Sequence, residues 1–216
     1  MIIRARWHNC AIQAAIAVAA FVASGAACAS DAEDFTVSGS RLIFDTESND
    51  KNHEISSGHV DIFLALLKQN PGITTLVLNS SGGSVWAGTE MGRIALDFEL
   101  NTVVDGQCSS SCVMMFLAGG SRSMERGSKI GFHSRSWSPR SVETYYEKWR
   151  EDENWETPFD FASWVYKDTR KEVYDDLIYI LSRGVDPTFA IKSHAPRKEM
   201  WYPTRQELVA AGVLTE

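Results

Sequence analysis

Three short stretches of this 216-residue chain carry residue types that can attack a carbonyl. The first, Leu76-Val77-Leu78-Asn79-Ser80-Ser81-Gly82-Gly83-Ser84-Val85, runs from an apolar strand through a double glycine toward a helix. The second, Gly106-Gln107-Cys108-Ser109-Ser110-Ser111-Cys112, sets three hydroxyls ahead of the apolar run Val113 to Leu117. The third, Ile130-Gly131-Phe132-His133, ends a short apolar strand on a histidine. A hydroxyl becomes a nucleophile when a base takes its proton and N–H donors stabilise the oxyanion that forms. Glycine turns backbone N–H groups toward a ligand in conformations that other residues avoid, so Gly82-Gly83 fits a donor loop. Each element also has a plain structural use. Gly82-Gly83 can be a tight turn, the serines can cap a helix, and His133 can be a buried histidine satisfied by the backbone.

The elements that must position these residues alternate. Phe35 to Phe44 reads as a strand or hairpin, followed by a polar loop from Asp45 to Glu54. Val60, Phe63, Leu64 and Leu67 share one face of a helix over Gly58 to Gln69, which Pro71-Gly72 stops. Thr74 to Leu78 is a short apolar run of the kind found in buried parallel strands. The pattern repeats with Ala87, Met91, Ile94, Ala95 and Phe98 on a second helix, and Thr102 to Val104 as a second buried strand. A third helix starts at the serines and ends at Gly119-Gly120, and a strand pair leads to His133. Strands alternating with helices of this length predict βαβ crossovers and an α/β layer fold. From about 134 to 182 the character changes to a Trp-rich, acidic helical insertion, with Tyr166 to Leu181 as a long helix. Most of its aromatics are expected to pack a helical arm onto the core.

The whole chain is 44% hydrophobic and 23% charged, which fits one domain with a sizeable core over 30–216. Residues 1–29 have the layout of a signal peptide. Arg4 and Arg6 precede an alanine-rich apolar stretch ending at Ala27-Cys28-Ala29, with acids only from Asp31 onward. Cleavage after Ala29 takes away two arginines and no acids, moving the net charge from −7 to −9. A surface that acidic repels phosphate backbones, which argues against a nucleic-acid partner. Export places the chain in the periplasm or outside the cell, with no membrane span once the leader is gone. Cys108 and Cys112 remain in the mature chain. They lack the four ligands of a structural zinc site, so no metal is expected. They either form a disulfide across Ser110 in an oxidising compartment or pack as two small buried side chains.

The order of these motifs resembles the Clp protease proteolytic subunit and the wider ClpP/crotonase superfamily, over roughly residues 36–216 and most closely over Leu76 to His133. Asn79 to Val85 resembles the family's N-S-P-G-G-S-V, with Ser81 in place of proline. Gly106-Gln107-Cys108-Ser109-Ser110 resembles its G-Q-A-A-S, whose last serine is the nucleophile. The resemblance therefore implies Ser110 as nucleophile, His133 as base, and the N–H groups of Gly83 and Ser111 as oxyanion hole. It also implies a ClpP/crotonase-like fold of repeated ββα and βαβ units, a mostly parallel sheet flanked by helices, and assembly into a homo-oligomer. The family's third member, an aspartate, has no direct counterpart. Ungapped counting lands on Met200, and one inserted residue makes Glu199 the candidate orienter. The function expected is an exported serine peptidase-like hydrolase acting on peptides or unfolded segments, without a cofactor and without an ATPase partner. The alternative is a catalytically inactive binding or assembly module of the cell envelope. Crotonase-type acyl-CoA chemistry is disfavoured by the absence of a basic cluster to hold the cofactor.

Overall fold

A computed structural model describes residues 31–48 and 53–216, so the expected leader and its cleavage point fall outside the described residues. The N-terminal hairpin is present: β1 (Phe35–Ser38) and β2 (Arg41–Asp45) pair antiparallel. Helix α1 (Gly58–Gln69) buries Val60, Phe63 and Leu67, the face that its periodicity predicts. Strand β3 (Thr75–Ser80) then lies parallel to β2, and α2 (Val85–Asp97) buries Ala87, Met91 and Ala95.

Strand β4 (Asn101–Ser109) is longer than its apolar core Thr102 to Val104 suggests, and it carries the chain right up to the serines. The polar residues Asp105-Gly106-Gln107 hide this continuation. Pairing with β3 slips between Leu78↔Val104 and Ser80↔Cys108, a bulge absorbed at Gly106 with φ 114°. A side chain at Gly106 would collide with Asn79, whose Oδ1 instead accepts the Gln107 N–H at 3.0 Å. Helix α3 (Cys112–Leu117) therefore begins after the serine run, not within it, and all six of its residues are buried.

The expected strand pair before His133 takes a different form. β5 (Arg122–Met124) and β6 (Lys129–Gly131) do not pair with each other. Each lies parallel to β4, β5 beside Thr102 to Val104 and β6 beside Gln107 to Ser109. The sheet runs β1-β2-β3-β4-β5, with β6 also on β4, and every pairing but the first is parallel. Parallel strands buried on both faces account for the continuous apolar runs. Phe44, Phe63, Leu76, Leu78, Met91, Met115 and Phe116 are fully buried, each side chain stabilising the fold by about 1.5–3 kcal/mol. Gly88 and Gly92 let α2 lie directly on the following turn, because a Cβ there would sit 2.6 Å from the Ser111 carbonyl and 2.9 Å from that of Met114.

The insertion forms two helices, α4 (Pro139–Trp149) and α5 (Pro158–Ser182), the second longer at both ends than Tyr166 to Leu181. Trp155, Phe161, Trp164 and Tyr145 pack as one aromatic cluster, with ring centroids 4.7–6.3 Å apart. Two short helices complete the chain, α6 (Pro187–Ser193) and α7 (Arg205–Ala210). Buried Arg122 ties this end to the sheet by donating to the carbonyls of Val213, Gly212, Gly119 and Arg183. No described helix is long and apolar enough to cross a membrane.

Candidate active site

The serine run is the hinge between β4 and α3. Ser109 ends the strand, Ser111 precedes the helix, and Ser110 between them has φ 57°, a left-handed conformation uncommon for serine. Tight partners on both sides hold it there. Its N–H donates to the Gly131 carbonyl at 3.0 Å, and its own carbonyl accepts from Val113 at 3.0 Å. The Cys108–Cys112 disulfide spans the same turn with its Cα atoms 5.3 Å apart. Backbone strain of this kind gathers at sites where a side chain must be presented. Here the hydroxyl presented is that of Ser110. Its Oγ lies 2.7 Å from His133 Nε2, a hydrogen bond joining β4 to the chain just beyond β6.

The other nitrogen of His133, Nδ1, lies 3.0 Å from the Ser134 carbonyl oxygen. A carbonyl only accepts, so Nδ1 carries the proton and Nε2 is left as the acceptor facing the Ser110 hydroxyl. This fixes the tautomer without a carboxylate. Glu199 does not take that role: it is exposed, and among the described residues no hydrogen bond or ion pair involves it. The reason is register. Phe132 and Trp201 pair antiparallel through two backbone bonds of 2.9 and 2.8 Å, and continuing that register sets Met200, not Glu199, opposite His133. The ungapped count is the one the backbone keeps, and a methionine stands where an acid was expected.

The glycine loop sits directly against the turn at Ser110. Gly82 has φ 106°, and a Cβ there would meet the Ser109 carbonyl at 2.7 Å and Ser110 Cβ at 2.8 Å. Gly83 is fixed by a parallel bridge to Ile55: Ile55 N–H donates to Gly82 O at 2.8 Å, and Ser84 N–H to Ile55 O at 2.7 Å. Ile55 is in turn steadied by buried His59, which accepts the Ser56 N–H at Nδ1 and meets Asp34 through Nε2 at 3.1 Å. Among the described residues, no acceptor takes the N–H of Gly83 or of Ser111. Those two donors are the ones the resemblance assigns to an oxyanion.

Ser110 and His133 open into a cleft of about 250 Å³. Its floor is apolar, from Val113, Met114, Phe132 and Ile180, and one wall is α5, through Thr169, Glu172, Val173 and Asp176. This wall escapes a motif-based reading, although its spacing of three, four and seven residues marks a helix face. At the rim Arg135 meets Asp176 at 2.6 Å and Glu172 at 3.1 Å, and His194 approaches Asp176 at 3.5 Å. The C-terminal part of α5 is bound to the core by the Tyr179 hydroxyl, which donates to the Met114 carbonyl at 2.8 Å. Burial, against the pull of Arg183, Arg122 and Arg93, pushes the pKa of that hydroxyl up to about 12. Among the described residues no cluster of histidines, cysteines or acids has the makings of a metal site.

No family model and no curated protein matches the sequence. Among solved structures the chain is similar to a point mutant of ClpP1 from Listeria monocytogenes, with a TM-score of 0.50 and 16% identity over 74% of this chain and 84% of that one. The fold is thus ClpP-like, an α/β layer structure with a mostly parallel sheet flanked by helices.

Proposed function

We propose that this protein is a serine peptidase-like hydrolase with Ser110 as nucleophile and His133 as general base. The observation that carries this reading is the 2.7 Å hydrogen bond from a strained strand–helix turn to a histidine whose tautomer is fixed from behind. In acylation, Ser110 Oγ forms a bond to the peptide carbonyl carbon while its proton passes to His133 Nε2. The carbonyl π pair moves onto oxygen, where the Gly83 and Ser111 N–H groups stabilise it. The intermediate then collapses: the C–N bond breaks and the imidazolium gives its proton to the departing amine. Water repeats the sequence on the ester, restoring Ser110 and releasing the acid.

The Ser134 carbonyl replaces the usual carboxylate as orienter of His133, which fixes tautomer and ring position but adds no negative charge behind the imidazolium. Slow turnover relative to a full triad follows. Export to an oxidising compartment is part of the proposal, supported by the leader-like N-terminus and the disulfide. Substrates are flexible peptides or unfolded segments, which suit a cleft walled by a helix. Self-association is proposed too, supported by exposed Tyr166, Tyr174 and Ile178 along α5. The non-catalytic reading has no observation of similar weight behind it. Labelling with a fluorophosphonate decides the matter. Wild type should label and Ser110→Ala should not, and equal labelling of the two would sink the reading.

A further inference from the structure

Three adjacent serines make up the turn, and two of them hold an unspent hydroxyl. Ser109 Oγ and Ser111 Oγ are both buried without a hydrogen-bond partner, in residues that are 1% and 4% exposed. A buried hydroxyl with no partner is unfavourable and needs a reason to persist. Their positions differ. Ser111 lines the cleft beside Ser110 and His133, whereas Ser109 does not line it and its Oγ lies 2.5 Å from where a Cβ on Gly131 would sit. Nor is Ser111 Oγ spent as a helix cap, since it makes no capping bond to α3.

We infer that the Ser111 hydroxyl is a third donor to the oxyanion, acting with the N–H of the same residue and that of Gly83. The inference rests on Ser110 being the nucleophile. The N–H and O–H of one serine are separated by only three bonds, so both can converge on a single oxygen. A carbonyl oxygen gaining negative charge accepts more strongly than a neutral one, and the gain falls in the transition state. The hydroxyl without a partner in the resting protein is thereby satisfied during the reaction, which accounts for its retention in a buried place.

The experiment compares Ser111→Ala with Ser109→Ala, using hydrolysis of N-acetyl-leucine p-nitrophenyl ester, inhibition by a peptide boronate and thermal melting. Neither substitution removes a hydrogen bond present in the resting protein, so both variants should fold and melt no lower than wild type. Ser111→Ala should lose about 10²-fold in kcat with little change in KM, and boronate inhibition should weaken by a similar factor. Ser109→Ala should turn over as wild type does. Equal turnover by Ser111→Ala and wild type overturns the inference, as does an equal loss in Ser109→Ala. A Ser111→Ala variant that fails to fold overturns it as well, because the hydroxyl would then have a structural partner. A wild type that neither labels with fluorophosphonate nor cleaves the ester removes the peptidase reading itself, an outcome distinct from the first three.

Discussion

The turn at Ser110 and the helical arm form two sides of one cleft, yet they are built on opposite terms. Around Ser110 nearly every atom is specified: all six residues of α3 are buried, the disulfide closes the turn, and glycines at 82 and 88 let neighbouring backbone press against it. The arm buries little. Helix α4 has no buried residue, and the 25 residues of α5 bury only Phe161 and Ile180. The side of the cleft that carries Ser110 and His133 is thus held by dense packing, and the wall opposite is held by a few ion pairs and one tyrosine. Dense packing suits groups that must stay within tenths of an ångström. Sparse packing suits a wall that must yield.

The contrast can be broken most sharply at Ser110. Ser110→Ala should lower ester or peptide turnover by roughly 10⁴-fold or more while leaving the melting temperature almost unchanged. Next comes the packing around it. Gly82→Ala forces a Cβ into the Ser109 carbonyl at a positive φ, and should cost about 3 kcal/mol in denaturant unfolding. Exposed Phe159→Ser on the arm should stay within about 0.5 kcal/mol. Intermediate is Tyr179→Phe, which removes the hydrogen bond tying α5 to α3 and should cost about 1 kcal/mol. Arg135→Ala removes the ion pairs to Glu172 and Asp176; it should change stability by under about 1 kcal/mol. Amide exchange should nonetheless rise over Pro158 to Asp176 while β4 keeps its protection.

The smallest effect is expected at Asp45. Burial alone would raise its pKa, but hydrogen bonds from the Ser48 side chain and N–H, the Glu47 N–H and Asn79 hold it below the ordinary carboxylate value. A carboxylate depressed in the folded state stabilises above its unfolded pKa of about 3.9, and the contribution fades as pH falls through the folded value. Asp45→Asn should therefore unfold slightly more easily than wild type at pH 7, the gap narrowing below about pH 4. A gap that persisted at low pH would detach Asp45 from this network.

What can be read from residues alone divides along the same line. The helices over Gly58 to Gln69 and Val85 to Asp97 and the strand at Leu76 to Leu78 announce themselves through apolar period, whereas the choice of Ser110 among three serines and its pairing with His133 come from the family resemblance. β4 reads too short because the bulge at Asp105-Gly106-Gln107 interrupts the apolar run that defines a buried strand. The orienter of His133 leaves no trace in the sequence, since a backbone carbonyl is available at every residue. A carboxylate sought by spacing falls instead on Glu199, one residue away from the position that the Phe132–Trp201 ladder sets opposite the histidine. His59 belongs to none of the motifs, yet it is buried, with Asp34 and the Ser56 N–H satisfying both of its nitrogens.

The disulfide across the Ser110 turn has a consequence for the unfolded chain. It joins residues only four apart, so the ring it closes is among the smallest a polypeptide can make, and the entropy it removes from the denatured ensemble amounts to about 2 kcal/mol. A bridge tying distant parts of the sheet would remove about twice as much. The constraint is instead concentrated on five residues, which keep part of their turn even when the sheet around them has come apart. The chain can thus re-enter the folded state with this strained turn already bent.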